Sequence, residues 1–124
     1  MFRVLIGLMF SLHGAQKFGL IGDGNVAGFA GAMGFPIALA YVIATIELIG
    51  GLAILLGLYT RLAAFLGGLV MIGAYIIAHL PNGLSPLANK GELALMYLAS
   101  FLVILIYGAG VYALEKVFSK KELF

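Results

Sequence analysis

Four apolar runs, each near the length that crosses a lipid bilayer, occupy residues 2–18, 36–58, 62–80 and 93–114 of this 124-residue chain. A spanning helix needs about 20 mostly apolar residues to cover a hydrocarbon core of roughly 30 Å. Inside lipid every backbone polar group must be satisfied within its own segment, so such runs are helices. The expected fold is all-α, an integral membrane four-helix bundle forming one domain over residues 1–124. Composition agrees: AVILMFWYC residues make up 64% and charged side chains 10%, where a soluble domain carries about 25% charge. Seven Lys/Arg and five Asp/Glu cannot clothe the outer face of every helix in polar groups. The lipid bilayer is therefore the first partner, and a net charge of +2 is too small and scattered for a nucleic-acid interface.

The connections carry their own signals. Pro36 suits the first turn of the second helix, where its missing N–H costs nothing. The Tyr59-Thr60-Arg61 link permits only a tight hairpin, making the second and third helices antiparallel neighbours. Pro81, Asn82, Gly83, Ser85 and Pro86 close the third helix, and the fourth starts after Lys90-Gly91-Glu92. In the first connection, Val26, Phe29, Ala30 and Met33 form one apolar stripe, with Asp23 or Asn25 as N-cap. This predicts a short helix along the interface or folded back over the bundle mouth; a mobile, glycine-rich loop is the competing reading. Small residues at Ala63/Gly67, Ala64/Gly68 and Ala74/Ala78 signal close helix packing.

Orientation follows from the basic residues. Arg3, Arg61, Lys116, Lys120 and Lys121 fall on one side and Lys17 and Lys90 on the other, which places both termini in the cytoplasm and the two longer connections outside an inner membrane. Arg61 reads as an anchor, and Glu115-Lys116 with Lys120-Lys121-Glu122 as an amphipathic, lipid-attracted tail. An alternative reading of the first run is a signal peptide, since Arg3 precedes Val4–Leu12 and Ala30-Gly31-Ala32 resembles a cleavage site.

Ionisable groups within a span cost about 2.5–3.5 kcal/mol at the helix centre, so each is a functional candidate. Glu47 lies about 16 Å into the second run, near the midplane, and must face the interior and find a partner. His13, about 15 Å from the cytoplasmic face, is the first candidate. Lys17 lies one turn beyond it, and Gln16 is a neutral donor and acceptor beside them. Glu47, His13 and Lys17 are the candidate catalytic residues. His13, Gln16, Lys17 and Glu47 are expected to line a site below an outward mouth, with His79, Glu92 and Lys90 as its rim and Tyr75 extending the polar path inward. A His and a carboxylate can both donate to and accept from oxygen and relay protons, which suits a quinone head. The same groups read structurally as a cluster pinning two helices, with His79 and Glu92 as interfacial caps. No cysteine is present, which excludes disulfides, thiol catalysis and iron–sulfur ligation by this chain. Haem is not expected, because His13 and His79 differ by about 10 Å in height along the bundle, and no metal is expected, because a third ligand is missing.

In order and spacing, several boxes resemble the DoxX/DoxD-like family of small four-helix membrane proteins. They are Arg3 with Gly7, His13-Gly14-x-x-Lys17, Gly34-Phe35-Pro36, Glu47-x-x-Gly50-Gly51, Leu56-Gly57-Leu58-x-Thr60-Arg61, Glu92, and Gly108-x-Gly110-x-Tyr112-x-Leu114-Glu115. The last box departs from the family pattern, with Ala109, Ala113 and Glu115 where Pro, Ser and Asp are common. The resemblance implies a prokaryotic membrane subunit tied to respiratory redox chemistry. Family members are linked to thiosulfate:quinone oxidoreductase, to thiol and oxidative-stress systems, or to quinone detoxification. Two function classes stay open on the sequence. One is a membrane subunit of a quinone-linked oxidoreductase, its electrons coming from other protein subunits; the other is a non-catalytic subunit that docks or stabilises a larger assembly through its small-residue faces.

Overall fold

The structure, a computed structural model, describes residues 1–119, and the described residues contain helices and no strands. The helices are α1 (Phe2–Lys17), α2 (Val26–Met33), α3 (Ile37–Leu56), α4 (Thr60–Asn82), α5 (Glu92–Tyr107) and α6 (Leu114–Ser119). Of these, α3 and α4, at 20 and 23 residues, are long and apolar enough to cross a membrane. Only 28% of the most apolar stretch of each is buried, so many of their leucines and isoleucines look outward. Such a surface is stable only against lipid or another apolar partner.

Close approach of α1 and α3 organises one half of the bundle. The buried side of α1 is Gly7, Phe10, Ser11, Gly14 and Ala15, the i, i+3, i+4, i+7, i+8 stripe of a helix face. A Cβ at Gly7 would collide with the backbone of Leu55, at Gly14 with that of Leu48, and at Gly51 with that of Ser11. These three glycines let the two backbones touch. The other half is α4 on α5, where Ala63, Ala64, Gly67 and Gly68 are buried and Phe101 fills the space over Gly67. Along α5 the buried residues are Ala94, Tyr97, Phe101 and Ile104. Phe10 and Ile54 join them to make the central core.

Both long helices depart from regular α geometry for one turn. Ile46–Gly50 within α3 and Tyr75–His79 within α4 are π-helical. Such turns are rare and concentrate at functional sites.

The connections mostly follow their chemistry. Asn25 caps α2, its Oδ1 accepting from Gly28 N at 2.6 Å. Val26 and Ala30 of α2 pack on Ala40 and Ala44, so the helix folds back onto α3. Pro36 stands at the N-cap of α3 rather than in its first turn, with extended ψ of 142°. The fourth run also ends earlier than expected. It is helical over 16 residues, Glu92–Tyr107, not to residue 114, because Gly108 turns out of the helix at φ 75°, ψ −159°.

That turn brings the C-terminal box back to the α3–α4 hairpin. Gly57 has φ 76°, and Ala113 packs so closely on it that a Cβ at Gly57 would clash. Glu115 N donates to Gly57 O at 3.3 Å. Arg3 reaches the same place, donating to Ile54 O, to Leu55 O at 2.6 Å and to Tyr112 O at 3.3 Å. It thus satisfies the last carbonyls of α3, where a cation is favoured. Arg61 does likewise for α5, donating to Ile106 O at 3.3 Å. Glu115, read from sequence as part of an amphipathic, lipid-attracted tail, is 3% exposed. Lys120, Lys121 and Glu122 lie outside the described residues.

Candidate functional site

At the end of the bundle opposite Arg3 and Arg61, Lys17 closes α1 and Glu47 sits in the π turn of α3. Lys17 Nζ donates to Glu47 Oε2 at 2.6 Å, with the two side chains 17% and 6% exposed. Antiparallel α1 and α3 bring these residues to one height, and the Gly14–Leu48 contact brings them to one depth. The spacing argument names His13 first, but the ion pair falls to Lys17. Phe29 of α2 covers the ammonium, 4.7 Å from Nζ to its ring centroid. A cation over a desolvated ring is held by the ring quadrupole.

Two cavities meet at Glu47. The larger, about 500 Å³, is an apolar groove between α3 and α4 roofed by Phe29 and Met33 of α2. Lys17, Glu47 and His79 are its polar members. Its volume lies within the range of small-molecule sites. The smaller, about 190 Å³, lies on the α5 side and is lined by His13, Glu47, His79, Lys90 and Tyr97 among apolar neighbours. Both π turns border the groove, and each delivers one polar residue, Glu47 or His79, that is shared by the two spaces. His13 and His79, separated by about 10 Å when heights are counted at 1.5 Å per residue, therefore line a single cavity.

His79 is held by the loop that follows it. Its Nδ1 lies 3.1 Å from Asn89 O, and a carbonyl only accepts, so Nδ1 carries the proton and Nε2 of the neutral ring is left as an acceptor. Asn89, 3% exposed, knits that loop: its Nδ2 donates to Gly83 O at 2.9 Å and Tyr75 OH at 3.2 Å, and its Oδ1 accepts from Gly91 N at 2.8 Å. Tyr75 is thereby tied to the loop, its hydroxyl 3.4 Å from Leu84 O, and lines neither cavity. The inward polar path expected from it is not formed.

Of the residues singled out in the sequence, Glu47, Lys17, His13 and His79 come together. Gln16 is exposed and lines a separate pocket with Lys17, Asp23, Asn25 and Phe29, which Glu47 itself does not border. Glu92 is exposed and borders neither cavity. Among the described residues no three His, Asp or Glu side chains are placed to share a metal ion. Sequence reasoning missed Tyr97 and Asn89. Tyr97 carries a usable signal, being the polar member of the 94, 97, 101, 104 stripe that α5 buries.

The DoxX family's sequence model matches residues 1–80, a stretch holding His13, Lys17, Glu47, His79 and the α3–α4 hairpin. The chain belongs to the DoxX family. A relative from Haemophilus influenzae, named only as an uncharacterized protein, is 42% identical over 122 residues, covering 96% of this chain and 89% of its own length. No solved structure matches. The family match covers the Lys17–Glu47 pair and α3–α4 groove of this DoxX protein, whereas Glu92 and the 108–115 box lie beyond it.

Proposed function

We propose that this DoxX protein is a four-span inner-membrane subunit of a quinone-linked redox system and that the α3–α4 groove holds the quinone. The observation that carries this reading is the position of the Lys17–Glu47 pair at the polar end of an apolar groove of about 500 Å³. Leu39, Val42, Leu69 and Ile77 line that groove and are exposed, so it opens sideways to lipid, the phase in which an isoprenoid tail dissolves. Lys17, Glu47 and His79 would hold the head, offering an ammonium donor, a carboxylate acceptor and an imidazole acceptor. A quinone supplies two-electron, two-proton exchange when bound. The chain's own residues bind and orient it, exclude water under Phe29 and Met33, and accept or release protons at the Glu47 carboxylate.

In this reading α1, α3, α4 and α5 all cross. Arg3 and Arg61 at one end, with Lys116, outnumber Lys17 and Lys90 at the other, which supports cytoplasmic termini. Docking through the small-residue stripe is the weaker alternative, because Ala63, Ala64, Gly67 and Gly68 are covered by this chain's own α5.

Gly73 provides the test. It borders the groove, and a Cβ there would meet nothing within 4 Å, so a side chain can start from this position into the groove and Gly73→Leu is the variant that narrows it. Wild-type protein extracted in mild detergent should carry an isoprenoid quinone in native mass spectra and bind decylubiquinone, and Gly73→Leu should do neither while melting at the wild-type temperature. Glu47→Gln and His13→Ala should abolish quinone-dependent turnover in membranes while the protein still folds, Glu47→Gln at the stability cost of leaving Lys17 unpaired. Partner chains without quinone, and turnover indifferent to Glu47, would establish the docking role instead; unfolding of both variants would reduce the cluster to a structural pin.

A further inference from the structure

Tyr97 is 5% exposed, and its hydroxyl has no hydrogen-bond partner among the described residues. Its ring is fixed on three sides: stacked on Phe101 at 5.9 Å, against Phe10 at 5.6 Å, and met edge-on by His13 at 5.7 Å. It forms part of the wall of the 190 Å³ cavity on the far side of Glu47 from the groove. A buried hydroxyl left unpaired is costly, and phenylalanine would fill the same place without that cost. The hydroxyl is thus left to pair with a group that enters the cavity, water or a ligand oxygen.

We infer that Tyr97 is a second ligand anchor, and that the ligand head carries oxygens at both ends of its ring. Lys17 donates to one oxygen on the groove side of Glu47, and the Tyr97 hydroxyl donates to the other across Glu47 in the smaller cavity. This rests on the ligand-binding reading above and narrows it to a ring with two opposed oxygens. Single-oxygen rings would leave Tyr97 OH unpaired, and sites built around a hydrogen bond discriminate strongly against a ligand that lacks it.

The test compares 1,4-naphthoquinone with 1-tetralone, which keeps the fused ring and one carbonyl, by equilibrium dialysis against the full chain in detergent. With no cysteine in the chain, the quinone has no thiol to alkylate. Wild-type protein should bind the dione at least about tenfold more tightly than the ketone, as expected for one hydrogen bond in a desolvated site. Tyr97→Phe should erase that preference by weakening the dione alone, with an apo melting temperature equal to or above wild type. A preference that survives in Tyr97→Phe, equal weakening of both probes, or no preference in wild type would each overturn the role of Tyr97 while leaving the groove reading in place. Failure of wild-type protein to bind either probe or decylubiquinone would overturn both.

Discussion

At the residue scale, Lys17 and Glu47 form a largely buried ion pair, and such a pair is far costlier to halve than to keep or replace. Removing one partner from a buried pair typically costs about 3–5 kcal/mol, because the other charge is left uncompensated. Lys17→Met should therefore destabilise the protein by about 3 kcal/mol in reversible unfolding from mixed micelles, and adding Glu47→Gln should recover most of that loss. Equal stability of the single and double variants would mean that Lys17 contributes through contact with Phe29 rather than through charge. The depth of Glu47 was legible from residue counting, and so was the nearness of α1. Its choice of Lys17 over His13 was not, because that choice depends on rotation of the helices about their axes, which the π turn at Ile46–Gly50 alters. Tyr97 was hidden for a plainer reason: a tyrosine in an apolar run reads as aromatic bulk until its hydroxyl is found buried and unpaired.

At the element scale, the glycines of α1 and α3 decide whether that pair can form. Gly14→Ala drives a methyl group into the backbone of Leu48, and overpacking of this kind costs about 1–3 kcal/mol. The variant should lose stability of that order and also lose decylubiquinone affinity, as α1 moves away and takes Lys17 with it. Gly31→Ala is the matched control. It is exposed in α2 with nothing within 4 Å of a new Cβ, and should gain about 0.5–1 kcal/mol from helix propensity. Four of the apolar runs could be read as helices because length and hydropathy suffice for that. The end of α5 could not, since residues 108–114 stay apolar in composition while Gly108 and Gly110 take positive φ. The π turns left no trace in the apolar pattern, because helices exposed to apolar surroundings on most sides show little periodicity to interrupt.

At the scale of the whole molecule, polar chemistry is divided between the two ends: arginines satisfy helix C-termini at one, and the ion pair, histidines and Tyr97 gather at the other. Absence of native cysteine makes the orientation directly measurable. Ser85→Cys, in the exposed loop before α5, should react with a membrane-impermeant maleimide on intact spheroplasts. Val117→Cys, 72% exposed on α6, should react only after permeabilisation; the reverse pattern would invert the membrane orientation and make the Glu47 mouth face the cytoplasm. The knot of Arg3, Gly57, Ala113 and Glu115 also has a temporal side. Arg3 leaves the ribosome 109 residues ahead of one of its acceptors, Tyr112 O, and the alanine that seats on Gly57 follows directly after. The helices before it can be inserted and paired while synthesis continues, but this end of the bundle closes only once residues 112–115 have emerged. A nascent chain stalled before residue 112 would hold its α3–α4 groove complete and its far end untied.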